Sequence, residues 1–353
     1  MRIVLAALLI TLSAMAGDPT AEALMENGHW KRARAIVEAA YKAHPNEAQA
    51  NYSMARVRHE FGNLDDAAKF SEAAVRLDPK SSPAHRELGE IYADQTAHVS
   101  FLKQLGLGHK IKSEFDAALS IAPKDPANIF DQIQYYMEAP GVAGGDKKKA
   151  LETANDLVKI NPARGYLALA YIARQQKEED KLERLYQKAV ESDARNYAAQ
   201  INLAALYISP QHAQPGRAIE HAQAALDLNS DRIESYRVLA AALALAKKFD
   251  DDARLLGRAE TAIPDDLSPY VFSARALLRD GVELQKAEGY LKKYFNETNE
   301  PEPGAPLIAG AHWSLGLVYE KEGRKPEARA ELETALRLKP DFEPAKKDLK
   351  RLK

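Results

Sequence analysis

The chain has 353 residues, of which 46% are hydrophobic, 7% aromatic and 28% charged; 49 basic against 51 acidic side chains leave a formal charge of -2. Few aromatics and abundant alanine favour closely packed helices over sheet, and the mixed charge lacks the basic footprint of a nucleic-acid binder. With no cysteine anywhere, neither a disulfide framework nor a lipidated cysteine is available.

Residues 1–16 carry one cation, Arg2, then an apolar run from Ile3 to Ile10 and the small-residue exit Ala14-Met15-Ala16. This is the pattern of a cleavable signal peptide, too short to span hydrocarbon, and it predicts cleavage after Ala16 and a periplasmic or secreted protein.

Downstream, a phrase recurs that closes on proline: Ala-Tyr-Lys-Ala-His-Pro at Pro45, Ala-Val-Arg-Leu-Asp-Pro at Pro79, Ala-Leu-Ser-Ile-Ala-Pro at Pro123 and Ala-Leu-Arg-Leu-Lys-Pro at Pro340. Each predicts the end of a helix. From Pro45 to Pro79 is 34 residues. Around these prolines lie Leu88-Gly89 and Tyr92 with Phe115 and Ala118, and Leu315-Gly316 and Tyr319 with Gly323, Ala328, Leu332 and Ala335. A small residue after leucine lets two antiparallel helices approach, and the tyrosine and later alanine fill the space between units. Weaker copies run through Met54-Ala55, Leu169-Ala170, Leu203-Ala204, Leu239-Ala240 and Tyr270 with Ala274.

By period and landmarks the chain resembles the tetratricopeptide repeat (TPR) family, which implies an all-α, right-handed α-solenoid of about nine helix-turn-helix units. The expected organisation is a signal peptide over 1–16, the array over 17–295, a breaker-rich loop over 296–308, a last unit over 309–340 and a capping helix over 341–353 with Leu349 and Leu352 on one side. Extra residues fall near 93–105, 139–149 and 209–216, each between the two helices of a unit, so stacking predicts them on one edge. Leu105-Gly106-Leu107 followed by Ala139-Pro140-Gly141 and Gly144-Gly145 is similar to a group of exported bacterial TPR proteins, which implies a bacterial periplasmic setting without supplying a function.

Chemistry-bearing motifs are weak. Gly141 to Lys149 lacks the Gly-Lys-Ser/Thr close of a P-loop, so Asp146 reads as a helix N-cap before a solvated lysine run; Gly106-Leu107-Gly108 has no strand before it. No two histidines share a helical face at metal-ligand spacing, and no Gly-x-Ser-x-Gly occurs; no metal, no cofactor and no catalysis are expected. Carboxylate pairs such as Glu87 with Glu90 read as a solvated or salt-bridged helix face.

The concave surface remains. The first helix of each unit should line it, presenting Tyr52, Arg56 and His59, then Arg86 and Glu90, Phe130 and Gln134, Tyr171 and Arg174, Asn202, Arg237, Arg275 and Trp313. Aromatic and arginine side chains dominate binding hot spots. Only Asn202 resembles part of the lysine-asparagine clamp by which some relatives hold a peptide carboxy-terminus. The expectation is an exported scaffold or adaptor that binds a protein or peptide segment in this groove; the alternative is an accessory or regulatory subunit of an envelope enzyme that holds a glycan or small ligand.

Overall fold

The computed structural model describes residues 20–297 and 308–352. The signal sequence lies outside them, as does most of the breaker-rich loop. Of that loop's ends, Asn296 and Glu297 complete one helix and Ile308 opens the next.

The described residues form nineteen α-helices, paired as α1 (Ala21–Glu26) with α2 (Trp30–Ala43), α3 (Ala48–Glu60) with α4 (Leu64–Leu77), α5 (Ser82–Thr96) with α6 (Phe101–Ile121), and α7 (Pro126–Glu138) with α8 (Lys147–Ile160). The series continues with α9 (Pro162–Gln175) and α10 (Leu182–Ser192), α11 (Tyr197–Ile208) and α12 (Pro215–Leu228), and α13 (Ile233–Leu245) and α14 (Phe249–Ala262). It closes with α15 (Ser268–Asp280) and α16 (Leu284–Glu297), α17 (Ile308–Lys321) and α18 (Lys325–Leu338), and a lone α19 (Glu343–Arg351). That is nine helix pairs and a cap, an all-α solenoid.

Second helices bury one narrow stripe of small residues, such as Ala218, Ala222 and Ala225 of α12 or Ala328, Leu332 and Ala335 of α18, one turn apart on a single face. First helices pack on their partners and also on one another, α13 on α11 and α15 for example, so α13 is buried along nearly its whole length. This asymmetry curves the array with the first helices inside. In α5, Gly89 is obligatory, because a Cβ there would lie 2.4 Å from the Phe115 ring of α6. Pro45, Pro79, Pro123 and Pro340 each follow a helix by two residues. Pro162 instead occupies the first turn of α9, where its missing N–H costs nothing, and Asn161 caps α9 through Arg164 N at 3.1 Å.

One of the inserted segments differs from expectation and another follows it. The extra residues near 93–105 form only a short turn at 97–100; the rest lie in helix, closing α5 and extending α6 to 21 residues against 14 for α4, with Gly106 inside the helix. The segment after α7 is a true turn around the short 3-10 stretch Gly141–Ala143, and Asp146 caps α8 as predicted, accepting from Lys148 N and Lys149 N at 3.0 and 3.1 Å. These two insertions meet. A Cβ on Gly108 would lie 3.2 Å from Ala143 Cβ, and the Tyr135 hydroxyl donates to both Gly108 O and Ala143 O.

The curvature brings the first unit back against the seventh. Asn27 Nδ2 donates to Asp231 at 2.9 Å, His29 Nε2 lies 3.0 Å from Asp231 Oδ1, and Arg32 Nε lies 3.4 Å from Asp265. At the other end Trp313, Phe342, Leu349 and Leu352 gather on Leu332, Ala335 and Ala345, so α19 covers the apolar face of the last pair. None of the described helices is long and apolar enough to cross a membrane.

Candidate functional site in the concave groove

First helices α3, α5 and α7 bring a dense charged cluster to the inner face. Tyr52, Arg56 and His59 share one side of α3, a turn apart as their spacing predicts. The Arg56 guanidinium lies 5.6 Å from the centroids of both Trp30 and Tyr52 and pairs with Glu22 at 2.7 Å. His59 contacts Glu87 through Nδ1 at 2.8 Å and Asp94 through Nε2 at 3.1 Å. Burial alone would lower its pKa, but the hydrogen bonds to Asp94 and Glu87 override this and raise it to about 10, so the ring is an imidazolium. His59, Glu87 and Glu90 hold potential ligand atoms within 4.8 Å of one another, yet both imidazole nitrogens are spent on carboxylates, which makes the group an ion-pair network.

Beside it Arg86 serves two carboxylates at once, Glu90 at 3.5 Å and Asp131 at 3.8 Å. This does not offset their desolvation. Burial, reinforced by Glu87, raises the Glu90 carboxyl to about 7, and burial with the Glu90 charge raises Asp131 to about 8. Asp131 is 6% exposed and its Oδ2 has no hydrogen-bond partner.

Next to the cluster two cavities open. The larger, of about 820 Å³, is walled by α5, α6, α7 and the turn at 139–143. The smaller, of about 380 Å³, reaches α9 and α11. Glu90, Phe130 and Asp131 face both. Phe130 packs edge-on to Tyr171 with centroids 5.4 Å apart, Gln134 lines the larger cavity, and the Tyr171 hydroxyl donates to Glu138.

Of the other groove residues expected from the sequence, Arg174 Nη2 donates to the Tyr186 hydroxyl at 2.6 Å. Asn202 lines the smaller cavity but donates to its own helix at Ala198 O, 2.7 Å away. Farther along, Arg237 is locked to Asp266 at 2.8 Å, Arg275 Nε donates to Ser314 at 3.1 Å, and the Trp313 indole donates to Asp348 of the cap at 2.7 Å. The thirteen residues therefore form no continuous strip. His59 through Asn202 line the two adjoining cavities with Tyr52 and Arg56 beside them on α3, whereas Arg237 lies apart and Arg275 and Trp313 line separate hollows near the cap.

Sequence reasoning missed Asp131, Asp94 and Glu138. Asp131 follows Phe130 and precedes Gln134 by three, a spacing that places it on the face already assigned to the groove. Glu87 lies on no solvated face; it is 8% exposed and bound to His59.

Residues 20–82 and 309–342 match family models for the tetratricopeptide repeat. No curated protein matches the sequence. Among solved structures, yeast Tom70 is 15% identical, with 94% of this chain and 86% of that one covered and a TM-score of 0.48. A thermophilic TPR protein of Thermus thermophilus is 18% identical over 54% of this chain and 96% of that one, and a tetratricopeptide repeat protein of Parabacteroides merdae is 16% identical over 86% and 98%, each with a TM-score of 0.46. A TPR protein described as having an unusual peptide-binding site, YrrB, is 19% identical over 57% of this chain and 99% of its own, with a TM-score of 0.34. The chain thus carries tetratricopeptide repeats at both ends, within nine stacked helix pairs across the described residues.

Proposed function

We propose that the protein is a non-catalytic scaffold that holds a protein or peptide segment in the concave groove between α3 and α11, and that residues 1–16 direct its export to the cell envelope. The observation that carries the first part is the pair of adjoining cavities that share Glu90, Phe130 and Asp131. They offer an extended chain successive apolar and charged subsites on rigid first helices. The export reading rests on the leading cation, apolar block and small-residue exit.

The basic run Lys147 to Lys149 competes as a docking point. Lys148 is exposed and pairs with Glu152 at 3.8 Å, and Lys149 lies 4.4 Å from the Tyr136 ring centroid. Exposed charges act through screened attraction. Selection of peptides from a random library by the full chain tests the reading. Phe130→Ala with Arg174→Ala should abolish enrichment, and the triple Lys147, Lys148 and Lys149 to alanine variant should keep it at physiological salt. The opposite result would move the binding surface to the inserted edge. Intact mass of the protein recovered from envelope and medium tests export, and retention of Met1 there would overturn cleavage after Ala16.

A further inference from the structure

The groove cluster can be balanced charge by charge. On α3, Arg56 is tied to Glu22, and His59 balances Glu87 and Asp94; Glu60 is exposed. On α5, Arg86 is the one cation left for Glu90 and Asp131. From α7, Asp125 adds another negative charge while capping Ala127 N at 2.9 Å. On α9, Arg174 donates to the neutral Tyr186 hydroxyl and Arg164 is exposed; both keep their charge along the smaller cavity and neither lines the larger one. From α6, Glu114 is bound to His85 and Asp116 to Lys112 and Gln132. On the wall shared by the two cavities, Arg86 alone thus stands against the two carboxylates of Glu90 and Asp131, one positive charge short.

A second observation points to what is missing. Asp131 is more than nine-tenths buried, lines both cavities, and leaves Oδ2 without a hydrogen bond. A buried carboxylate whose one cation is shared and 3.8 Å away is costly, and an incoming partner that supplies a hydrogen bond and counter-charge offsets that cost. The volume in front of it, about 820 Å³, is far larger than a bare ion needs, and Leu105, Ile111, Phe115 and Pro140 make much of its wall apolar.

We propose that the wall formed by Glu90 and Asp131 binds the ammonium or guanidinium head of an organic cation whose apolar stem lies in the larger cavity. The head replaces the missing charge and donates to Asp131 Oδ2, while the stem removes apolar wall from water. The same chemistry is carried by a lysine or arginine side chain of a bound segment and by a free alkyl amine. The proposal names the ligand chemistry of the groove, and its first test uses small molecules, so it can succeed where peptide capture fails. Because the head favours the ionised carboxylates, which burial raises to about 7 and about 8, affinity must rise with pH through that range and binding must release protons below it.

Calorimetric titration of the full chain with butylguanidinium, butylammonium and the neutral isostere butylurea tests this. Ligands of this size bind in roughly the millimolar range. The cations should bind about tenfold or more tightly than the urea, and more tightly at pH about 9 than at about 6, with a heat that depends on the buffer's protonation enthalpy. Asp131→Asn and Glu90→Gln should each remove most of the preference; Asp131→Asn relieves a buried charge and Glu90→Gln keeps the shape of a part-exposed side chain, so circular dichroism should show both variants folded. Equal affinity for cation and urea, absence of cation binding, or an unchanged preference in both variants would overturn the proposal. A second arm compares an alanine-rich peptide with one central arginine against its citrulline counterpart. Tighter binding of the arginine peptide than of butylguanidinium identifies a side chain as the source, and equal or weaker binding identifies a free amine.

Discussion

His29 Nε2 lies 3.0 Å from Asp231 Oδ1, joining residues at opposite ends of a full turn of the solenoid. Around them Asn27 reaches Asn229 and Asp231, Arg32 faces Asp265, and Lys31 donates to Asp265 O. Such a seam is polar, with few apolar atoms to hold it, and Arg32 is 37% exposed, so each pair contributes on the order of 1 kcal/mol or less. Asp231→Ala combined with Asp265→Ala should leave helicity unchanged, since neither residue belongs to the core stripes, yet should open the turn. Solution scattering should then show a larger radius of gyration, and hydrogen exchange should show faster exchange confined to α1 and α2. An unchanged radius with unchanged protection would mean that adjacent-unit packing alone sets the curvature.

That seam was invisible in the sequence, and the reason is geometric. Leu315-Gly316 and Tyr319 could be read because they report contacts within a unit or with its neighbour, which repeat at fixed spacing. Which residues meet after seven units depends on a small rotation accumulated per repeat, and no single spacing encodes it. The groove shows the same division: the faces of α3 and α5 followed from helical periodicity, whereas the burial of Asp131 depends on how α6 packs beside it. From the sequence, Gly106 resembles the turn glycine Gly323, so the longer segment near 93–105 reads as a turn. In α6, however, Gly106 is an ordinary helical residue whose Cβ would meet nothing within 4 Å.

Close approach of paired helices is the most local prediction. A Cβ at Gly316 would lie 3.1 Å from both Ala328 O and Leu332, so the backbone of α18 and a fully buried leucine stand in its way. Gly316→Leu should overpack the pair and cost roughly 1–3 kcal/mol, lowering the melting temperature. Gly89→Ala should also destabilise, because the Phe115 ring must move aside. Unchanged melting of both variants would show that the pairs yield without strain.

Trp313 holds the cap. Its indole donates to Asp348, its ring meets Phe342 edge-on at 5.8 Å, and Arg351 pairs with Glu320 on α17. Trp313→Ala should loosen α19 and cost roughly 3 kcal/mol through lost burial and the lost hydrogen bond to Asp348, which keeps its ion pair with Arg351. Trp313→Phe should lose only the hydrogen bond, about 1 kcal/mol. Exchange protection of α19 reads both effects, and neither variant should change cation binding at Asp131. Loss of that binding in Trp313→Phe would return the residue to the ligand site.

Stability should fall as pH rises above neutrality, and the sign follows from the groove cluster. Glu90 and Asp131 titrate near 7 and 8 when folded, against about 4 in an unfolded chain, so the native state holds extra protons between these values and loses stability as they leave. His59 is raised to about 10 from 6.5; its stabilising ion pairs are fully present below 6.5 and are lost as pH passes through 10. The two contributions share a sign. The carboxylates held low, such as Glu260 and Glu288, act only in acid, where they lose stability as pH drops. Melting temperature should therefore peak near pH about 5, where the low carboxylates are ionised and Glu90 and Asp131 still hold their protons, and decline steadily to about 9. Asp131→Asn should raise stability at pH about 8 by roughly 1–3 kcal/mol and flatten the decline, because it deletes a buried charge while keeping the shape. His59→Gln should instead lower stability at pH about 6, where it leaves Glu87 and Asp94 without their shared cation, and have a smaller effect near pH 10. A melting temperature that stayed level or rose between pH about 6 and 9 would mean that water or rearrangement already relieves the cluster, and the charge deficit at Asp131 would vanish with it.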